Sequence, residues 1–142
     1  MRNPLVSVVI PARNEEEHIT AALEAILAQT YKKLEAIVVN DGSTDRTAAI
    51  VNKHAGRDKR INLFNFKQGH SAAFARNYGA GRARGEILVF FDADCTAREN
   101  YLKNIVRQLT ENKLDGVSNK TLAAPAKTFI GKCVAALSLI HI

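Results

Sequence analysis

The chain has 142 residues, of which 46% are hydrophobic and 24% are charged, so one globular domain is expected and the composition argues against a disordered chain. Its net charge of +6 suits a polyanionic partner such as a nucleotide diphosphate, an anionic membrane surface or a nucleic acid. No apolar run is long enough for a transmembrane helix, and the two cysteines have no pairing or metal-ligand spacing, so we expect a cytoplasmic protein in a reducing compartment.

The apolar pattern alternates between short runs typical of buried strands and longer stretches with helical spacing. In chain order it predicts strand 6–10, helix 15–30, strand 34–40, a helix from the turn 41–45 to about residue 54, strand 61–66, helix 71–83, strand 86–91 and helix 98–111. Because a parallel strand pair needs a covering crossover, this order predicts the α/β class, with a mainly parallel sheet and helices on both faces.

Capping residues predict where two of these helices begin. Asn14 precedes three glutamates, which is the pattern of an N-cap followed by acidic residues in the first helical turn. In the turn 41–45, Gly42 is expected to make the turn and Ser43 or Thr44 to cap the next helix. Both helices would then begin directly after the end of a strand.

Polar loops follow three of the predicted strands, at residues 11–15, 41–45 and 92–94. In a parallel sheet, ligands bind outside the carboxyl ends of the strands. We therefore expect the three loops to meet in one crevice.

Asp92-Ala93-Asp94 places two carboxylates two residues apart at the end of a strongly apolar strand. In an extended segment these side chains point the same way, so both can reach one hard cation such as Mg²⁺ or Mn²⁺. Such a cation takes its remaining ligands from water and substrate phosphates, so the pair indicates a nucleotide diphosphate. Taken alone, an Asp pair in a loop more often stabilises a turn than binds a metal. Cys95, which follows the pair, is expected to be structural.

Asp41 ends the second predicted strand, and two interpretations are open for it. Its carboxylate could belong to the helix cap of the turn 41–45. At a strand end it could equally accept a hydrogen bond from the N–H of a nucleobase. The four histidines have no metal-ligand spacing and are expected to be surface or packing residues.

Four segments stand in order along the chain: VSVVIPARNE at 6–15, VVNDGSTD at 38–45, ARNYG at 75–79 and FDAD at 91–94. Together they resemble the family 2 glycosyltransferases. The resemblance covers roughly residues 5–120 and implies the nucleotide-sugar half of a GT-A fold, which is Rossmann-like and here incomplete at its C-terminus.

The resemblance also implies a function and a set of site residues. It implies transfer of a sugar from a UDP-type or GDP-type donor to an acceptor hydroxyl, with inversion and with Mg²⁺ or Mn²⁺ as cofactor. Asp41 would recognise the base, Asp92 and Asp94 would hold the metal, and Arg76 would lie near the phosphates, the alternative for Arg76 being a solvated helix residue. The residues implied to bind the nucleotide sugar are Pro11, Ala12, Glu15, Asp41, Arg76, Asp92, Ala93 and Asp94.

In inverting members of the family the general base is a later Asp, usually in an acidic pair that follows the Asp-x-Asp motif after a long interval. None of the later acidic residues, Glu99, Glu111 and Asp115, stands in such a pair. The base and the acceptor site are therefore expected beyond the chain end, with residues 1–136 the N-terminal part of a domain whose apolar sheet edge is exposed. Residues 137–142 back-translate to CTG TCT CTT ATA CAC ATC, which looks like a transposase sequencing adapter. We expect this tail to be non-native, the alternative being a genuine apolar helix end.

One other function fits the same motifs. A non-catalytic nucleotide-sugar-binding module would share the same motifs without turnover. A nucleic-acid partner is not expected, because only 6% of the residues are aromatic and no basic stripe contains stacking residues. The expected acceptor is a glycan or a lipid-linked molecule. The basic, apolar-rich segment after Asp115 could contact the inner face of a membrane or pack on the core.

Overall fold

The computed structural model describes residues 3–117, in which strands and helices alternate in the predicted order. The elements are β1 (Val6–Ala12), α1 (Ile19–Leu27), β2 (Leu34–Asp41), α2 (Thr47–Ala55), β3 (Ile61–Phe66), α3 (Ala72–Arg82), β4 (Ile87–Phe90) and α4 (Tyr101–Glu111). Most of the segment expected to contact a membrane and the whole tail 137–142 lie outside the described residues. Within residues 3–117, no helix is long and apolar enough to span a bilayer.

The described residues fall into two units, with the boundary between residues 107 and 108. The first unit contains the whole sheet and helices α1 to α3. Of the second unit, the described residues 108–117 hold the end of α4 and the turn after it. In that turn the Leu114 amide donates to the Leu109 carbonyl at 3.1 Å.

The four strands form one parallel sheet in the order β3-β2-β1-β4. The chain moves outward from β1 to β3 and then returns to place β4 on the other side of β1. Because crossovers of this kind are right-handed, α1 and α2 lie on one face of the sheet and α3 lies on the other. The predicted α/β class is confirmed. The point between β1 and β4 where the order reverses is where such sheets bind ligands.

β1 continues past the predicted end at Ile10, through Pro11 to Ala12. Proline cannot donate a hydrogen bond to a neighbouring strand, so it is tolerated where no neighbour needs the donor. The carbonyl of Val9 accepts from the Phe91 amide at 3.0 Å, so the backbone groups of residues 9 and 11 point to the β4 side. β4 ends at Phe90, so among residues 3–117 no strand lies opposite the proline nitrogen.

The prediction that Asn14 caps the first helix is wrong. α1 begins at Ile19, and the cap position is His18, whose side chain makes no capping hydrogen bond. Asn14 instead has a φ of 55°, a left-handed conformation that asparagine tolerates better than most residues. Its side-chain oxygen accepts from the Thr44 amide at 2.8 Å, so it bonds a residue of another loop instead of an amide in the first turn of α1.

The prediction that Ser43 or Thr44 caps the second helix is also wrong. Asp45 supplies the side-chain oxygen, since its Oδ1 accepts from the Thr47 amide at 2.9 Å and from the Thr47 hydroxyl at 2.6 Å. Burial raises the pKa of Asp45, but the hydrogen bonds from Thr47 and from the Glu16 amide outweigh burial and lower that pKa overall. Asp45 is therefore an ionised acceptor at the start of α2.

Helix α3 packs closely on the sheet because its inner face is made of small residues. Ala75 is buried against Val9, Ile37 and Val39. A Cβ atom added at Gly79 would lie 2.4 Å from a methyl carbon of Val9, so only glycine allows this approach. The close packing brings the first turn of α3 over the carboxyl ends of β1 and β2.

Strand β4 lies at one edge of the four-stranded sheet. Its Val89 is buried, whereas Leu88 and Phe90 on the other face are 40% and 48% exposed. In the part of the chain that the structure describes, Leu88 and Phe90 therefore form an exposed apolar surface on one face of this edge strand. An apolar edge exposed by missing strands stays a prediction.

A buried carboxylate links β1, β2 and the α3–β4 loop at the amino edge of the sheet. Glu35 is 3% exposed, and its oxygens accept from the Ser7 hydroxyl at 2.7 Å and from the Arg84 amide and guanidinium at 2.6 to 2.9 Å. Burial raises the pKa of Glu35, but the hydrogen bonds from Ser7 and Arg84 and the arginine charge outweigh it, so the pKa lies below its usual value of 4.5. A carboxyl whose pKa is lowered by folding stabilises the protein above its unfolded pKa, and this stabilisation is lost as the pH falls through the folded pKa.

We expect Glu35→Gln to lower the free energy of unfolding at pH 7 by about 1–3 kcal/mol, because the ion pair and part of its hydrogen-bond network are lost from a buried site. The difference from the parent should begin to shrink as the pH falls through about 4.5, where the carboxyl of the unfolded chain becomes protonated, and should be lost below the lower pKa of the folded state. Urea unfolding at pH 7, 5, 4 and 3 measures both effects. Glu99→Gln, an exposed acid, is the control, and a difference that stays constant across this pH range would contradict the argument.

Candidate functional site

A cavity of about 290 Å³ opens at the carboxyl edge of the sheet, at the switch point between β1 and β4. All of the site residues predicted from the sequence line it: Pro11, Ala12, Glu15, Asp41, Arg76, Asp92, Ala93 and Asp94. Four further residues complete the lining, namely Arg13, Ser71, Ala72 and Ala75. The structure thus brings the predicted residues together, while their individual roles remain predictions.

Of the loop 41–45 only Asp41 lines the cavity. Residues 43–47 are instead hydrogen-bonded to residues 14–16, at the end of the first loop. The bonds between the two loops run from Asn14 N to Ser43 Oγ (2.9 Å), from Thr44 N to Asn14 Oδ1 (2.8 Å), from Glu15 N to Thr47 Oγ1 (2.8 Å), from Glu16 N to Asp45 Oδ2 (3.1 Å) and from Arg46 N to Glu16 Oε2 (3.0 Å). Hydrogen bonds from the Arg46 amide and guanidinium hold the pKa of Glu16 below its usual value. This wall of the cavity is therefore fixed by a network of cross-loop bonds.

Asp41 forms the inner wall of the cavity and is 3% exposed. Both of its carboxylate oxygens accept from the backbone N–H of His70, each at 2.9 Å, and the ring Nδ1 of His70 lies 3.1 Å from Oδ1. Because Asp45 supplies the oxygen at the start of α2, the interpretation of Asp41 as part of the helix cap is wrong. Recognition of a base by Asp41 stays a prediction.

His70 was not identified from the sequence as a residue near the site. Its ring stacks on Phe74, with centroids 4.2 Å apart, and meets the edge of Phe66 at 5.4 Å. The important contact is made by its backbone amide, and no pattern of residue types signals such a contact. The histidine was expected to be a surface or packing residue, and it also borders the candidate base site.

The carboxylates of Asp92 and Asp94 and the thiol of Cys95 have ligand atoms within 4.8 Å of one another. Burial, followed by the charges of Asp94 and Asp92, raises the pKa of Cys95 to about 11, so this side chain is a neutral thiol at pH 7. The two exposed carboxylates are then the anionic donors of the group. Paired oxygen donors beside open solvent fit a hard divalent cation that keeps several waters.

Arg76 and the start of α3 supply positive charge to the same cavity. The Arg76 guanidinium donates to Asp92 Oδ1 at 2.8 Å in an ion pair that is partly exposed to solvent. A position of Arg76 near the phosphates stays a prediction. The Ser71 hydroxyl accepts from the Phe74 amide at 3.0 Å and caps the helix, whose first residues line the cavity. A capped helix N-terminus carries partial positive charge and favours an anion such as phosphate.

The sequence profile of glycosyl transferase family 2 matches residues 7–132. The chain belongs to this family. GlyG, a glycosyltransferase of Streptococcus pneumoniae, is 34% identical over 113 residues, which are 80% of this chain and 38% of GlyG. The uncharacterized glycosyltransferase EpsJ of Bacillus subtilis is 35% identical over 112 residues, which are 79% of this chain and 32% of EpsJ.

Solved glycosyltransferase structures have the same fold. Mannosyltransferase PcManGT from Pyrobaculum calidifontis, in complex with GDP-Man and Mn²⁺, matches with a TM-score of 0.72 and 33% identity over 77% of this chain and 33% of its own. TarS of S. aureus in complex with UDP-GlcNAc matches with a TM-score of 0.69 and 26% identity over 84% of this chain and 37% of its own. The predicted GT-A fold is confirmed, and the chain spans 32% to 38% of the length of these relatives.

Proposed function

We propose that the cavity binds a nucleoside-diphosphate sugar and that the protein transfers the sugar to an acceptor hydroxyl, with inversion and with Mg²⁺ or Mn²⁺ as cofactor. The observation that carries the proposal is the grouping of Asp41, Arg76, Asp92 and Asp94 around one cavity at the switch point of the sheet. GDP-Man with Mn²⁺ in PcManGT and UDP-GlcNAc in TarS support a nucleotide sugar and a divalent cation here.

The two ends of the cavity suit the two ends of a nucleotide. At the inner end, Asp41 offers a buried acceptor for a base N–H, and Pro11 and Ala12 offer apolar surface beside it. At the outer end, Asp92 and Asp94 would hold the cation on the diphosphate. When bound, that cation would offset the charge that builds on the leaving diphosphate.

Arg76 would bind the diphosphate together with the first turn of α3. Its guanidinium uses one donor on Asp92 Oδ1 and has others to offer, so it can keep this bond and donate to a phosphate oxygen as well. The ion pair is partly exposed, with side-chain exposures of 38% and 53%, and contributes little to stability. Its value would lie in orienting Asp92 before the substrate binds.

The general base would come from outside the described residues. Asp41 is hydrogen-bonded to His70, Asp92 is paired with Arg76, and Glu15 lies 3.2 Å from the ring nitrogen of His18. The carboxylates that line the cavity therefore have partners or, for Asp94, a proposed metal.

We propose a glycan or lipid-linked acceptor and a reaction in the cytoplasm at the inner face of a membrane.

Titration of the 142-residue chain with UDP and with GDP, each with and without Mn²⁺, tests the binding proposal. We expect at least one nucleotide to bind, and to bind more tightly with Mn²⁺. Absence of binding to both would contradict the proposal. Incubation with the matching sugar nucleotides should give at most slow hydrolysis, whereas a chain that includes the base should transfer the sugar. A complete chain that binds without turnover would instead be a non-catalytic nucleotide-sugar-binding module.

A further inference from the structure

We infer that Asp41 reads a base that presents a single N–H, as uracil does, and that His70 excludes guanine by occupying the carboxylate edge that guanine needs. The inference rests on the proposed function and chooses between its two donor classes, UDP sugars and GDP sugars. It depends on how His70 approaches Asp41 and on how the surrounding residues hold it there.

The backbone N–H of His70 lies between the two oxygens of Asp41. The amide nitrogen is 2.9 Å from Oδ1 and 2.9 Å from Oδ2, so it is equidistant from both and sits on the open side of the carboxylate. This side is the one where both oxygens can be reached together. A bidentate partner with two parallel N–H groups would have to approach along the same direction.

Guanine presents such a pair, since its ring N1–H and its exocyclic N2–H point the same way. With the His70 amide in place, guanine could give Asp41 only one of these donors, and the other would be buried without an acceptor. Uracil presents one ring N–H between two carbonyl groups, and this donor needs a single acceptor. The occupied edge of Asp41 therefore favours uracil over guanine.

The imidazole ring of His70 reduces the capacity of Asp41 further. A carboxylate only accepts hydrogen bonds, so the contact of 3.1 Å between Nδ1 and Oδ1 requires the proton on Nδ1. Oδ1 then receives both the shared amide and the ring N–H. The acceptor capacity that remains lies on Oδ2, which suits one donor from the base.

The segment before His70 lies close against the turn that follows β2. Gly42, the residue after Asp41, has a φ of 70°, and a Cβ atom there would lie 2.3 Å from the Gly69 nitrogen. The guanidinium end of the exposed Arg13 side chain also lies beside Gly69. The backbone contact with Gly42 and the stacking of Phe74 on the ring position His70 at Asp41.

Likeness to relatives leads to a different expectation. PcManGT, at 33% identity, binds GDP-Man, whereas TarS, at 26% identity, binds UDP-GlcNAc. If nucleotide preference simply followed identity, guanine would be favoured. The geometry at Asp41 points to uracil instead, so the relative affinity for UDP and GDP distinguishes the two expectations.

Calorimetric titration of the 142-residue chain with UDP and with GDP, both with Mn²⁺, tests the inference. We expect UDP to bind roughly tenfold to a hundredfold more tightly than GDP, the effect of leaving one buried N–H without an acceptor. Equal binding, or tighter binding of GDP, would overturn the inference and leave the proposed function intact. Binding of neither nucleotide would overturn both.

Two variants test whether His70 is the cause of the preference. His70→Ala removes the ring contact to Oδ1 but keeps the shared amide, so it should move the UDP-to-GDP affinity ratio part of the way toward parity. His70→Pro also removes the amide donor between the oxygens and should move the ratio further. The larger change is expected for proline. His54→Ala, in the last turn of α2 and away from the cavity lining, is the matched control and should keep the parent ratio. An unchanged ratio in His70→Ala would overturn the role of the ring, and an unchanged ratio in His70→Pro would overturn the role of the amide. If His70→Pro does not fold, the UDP-to-GDP ratio of the parent decides whether the occupied edge of Asp41 excludes guanine.

Discussion

Asp94→Ala is expected to abolish the gain in nucleotide affinity that Mn²⁺ provides. The described residues that line the outer end of the cavity offer two carboxylates to a cation, Asp92 and Asp94, and Asp92 already accepts from Arg76. Without Asp94, the cation would lose the carboxylate that has no arginine partner. In the parent we expect a gain of roughly tenfold, about 1.4 kcal/mol, and in the variant none.

Calorimetric titration with and without Mn²⁺ measures this gain, and electron paramagnetic resonance of Mn²⁺ reports the cation directly. Glu99→Gln removes one negative charge from an exposed position that does not line the cavity, so it controls for net charge. It should keep the parent's metal dependence. If Asp94→Ala showed the same Mn²⁺-dependent gain as the parent, the carboxylate pair would only stabilise the turn and would not bind the cation.

The sheet could be predicted from the sequence because its strands are continuous apolar runs. In β1 and β2 almost every side chain is buried, which is the property of strands covered on both faces. The starts of α1 and α2 could not be predicted from the local pattern. Asn14 and Ser43 look like capping residues, yet each is used by a partner about 30 positions away, through the bonds Asn14 N to Ser43 Oγ and Thr44 N to Asn14 Oδ1.

In the candidate site, residues with a recognisable type and position could be predicted, whereas residues placed by packing or by backbone contacts could not. The carboxylates and Arg76 could be predicted because they lie at strand ends or in a recognisable motif. Ser71 and Ala72 enter the lining because the first turn of α3 lies over the sheet, which depends on the small residues Ala75 and Gly79 beneath it. His70 contacts Asp41 through its amide, which every non-proline residue has, so residue type alone could not reveal it.

Asp41 and Asp45 stand four positions apart, and the structure predicts opposite effects for their substitution. Asp45→Ala should lower the free energy of unfolding by about 1 kcal/mol and leave nucleotide binding close to the parent value, because Asp45 supplies the oxygen at the start of α2 and does not line the cavity. Its loss would remove a helix-starting bond and one cross-loop bond, to Glu16.

Asp41→Ala should weaken nucleotide binding roughly tenfold to a hundredfold, or about 1.5–3 kcal/mol, because the base would lose a charged acceptor in a buried site. It should also lower stability somewhat, since the His70 amide loses its acceptor. Titration and urea unfolding of both variants give four values, and only the binding values separate the two roles. Normal binding by Asp41→Ala in a destabilised fold would mean that Asp41 serves only to hold His70. Equal loss of binding in both variants would mean that the whole loop edge, and not Asp41, controls affinity.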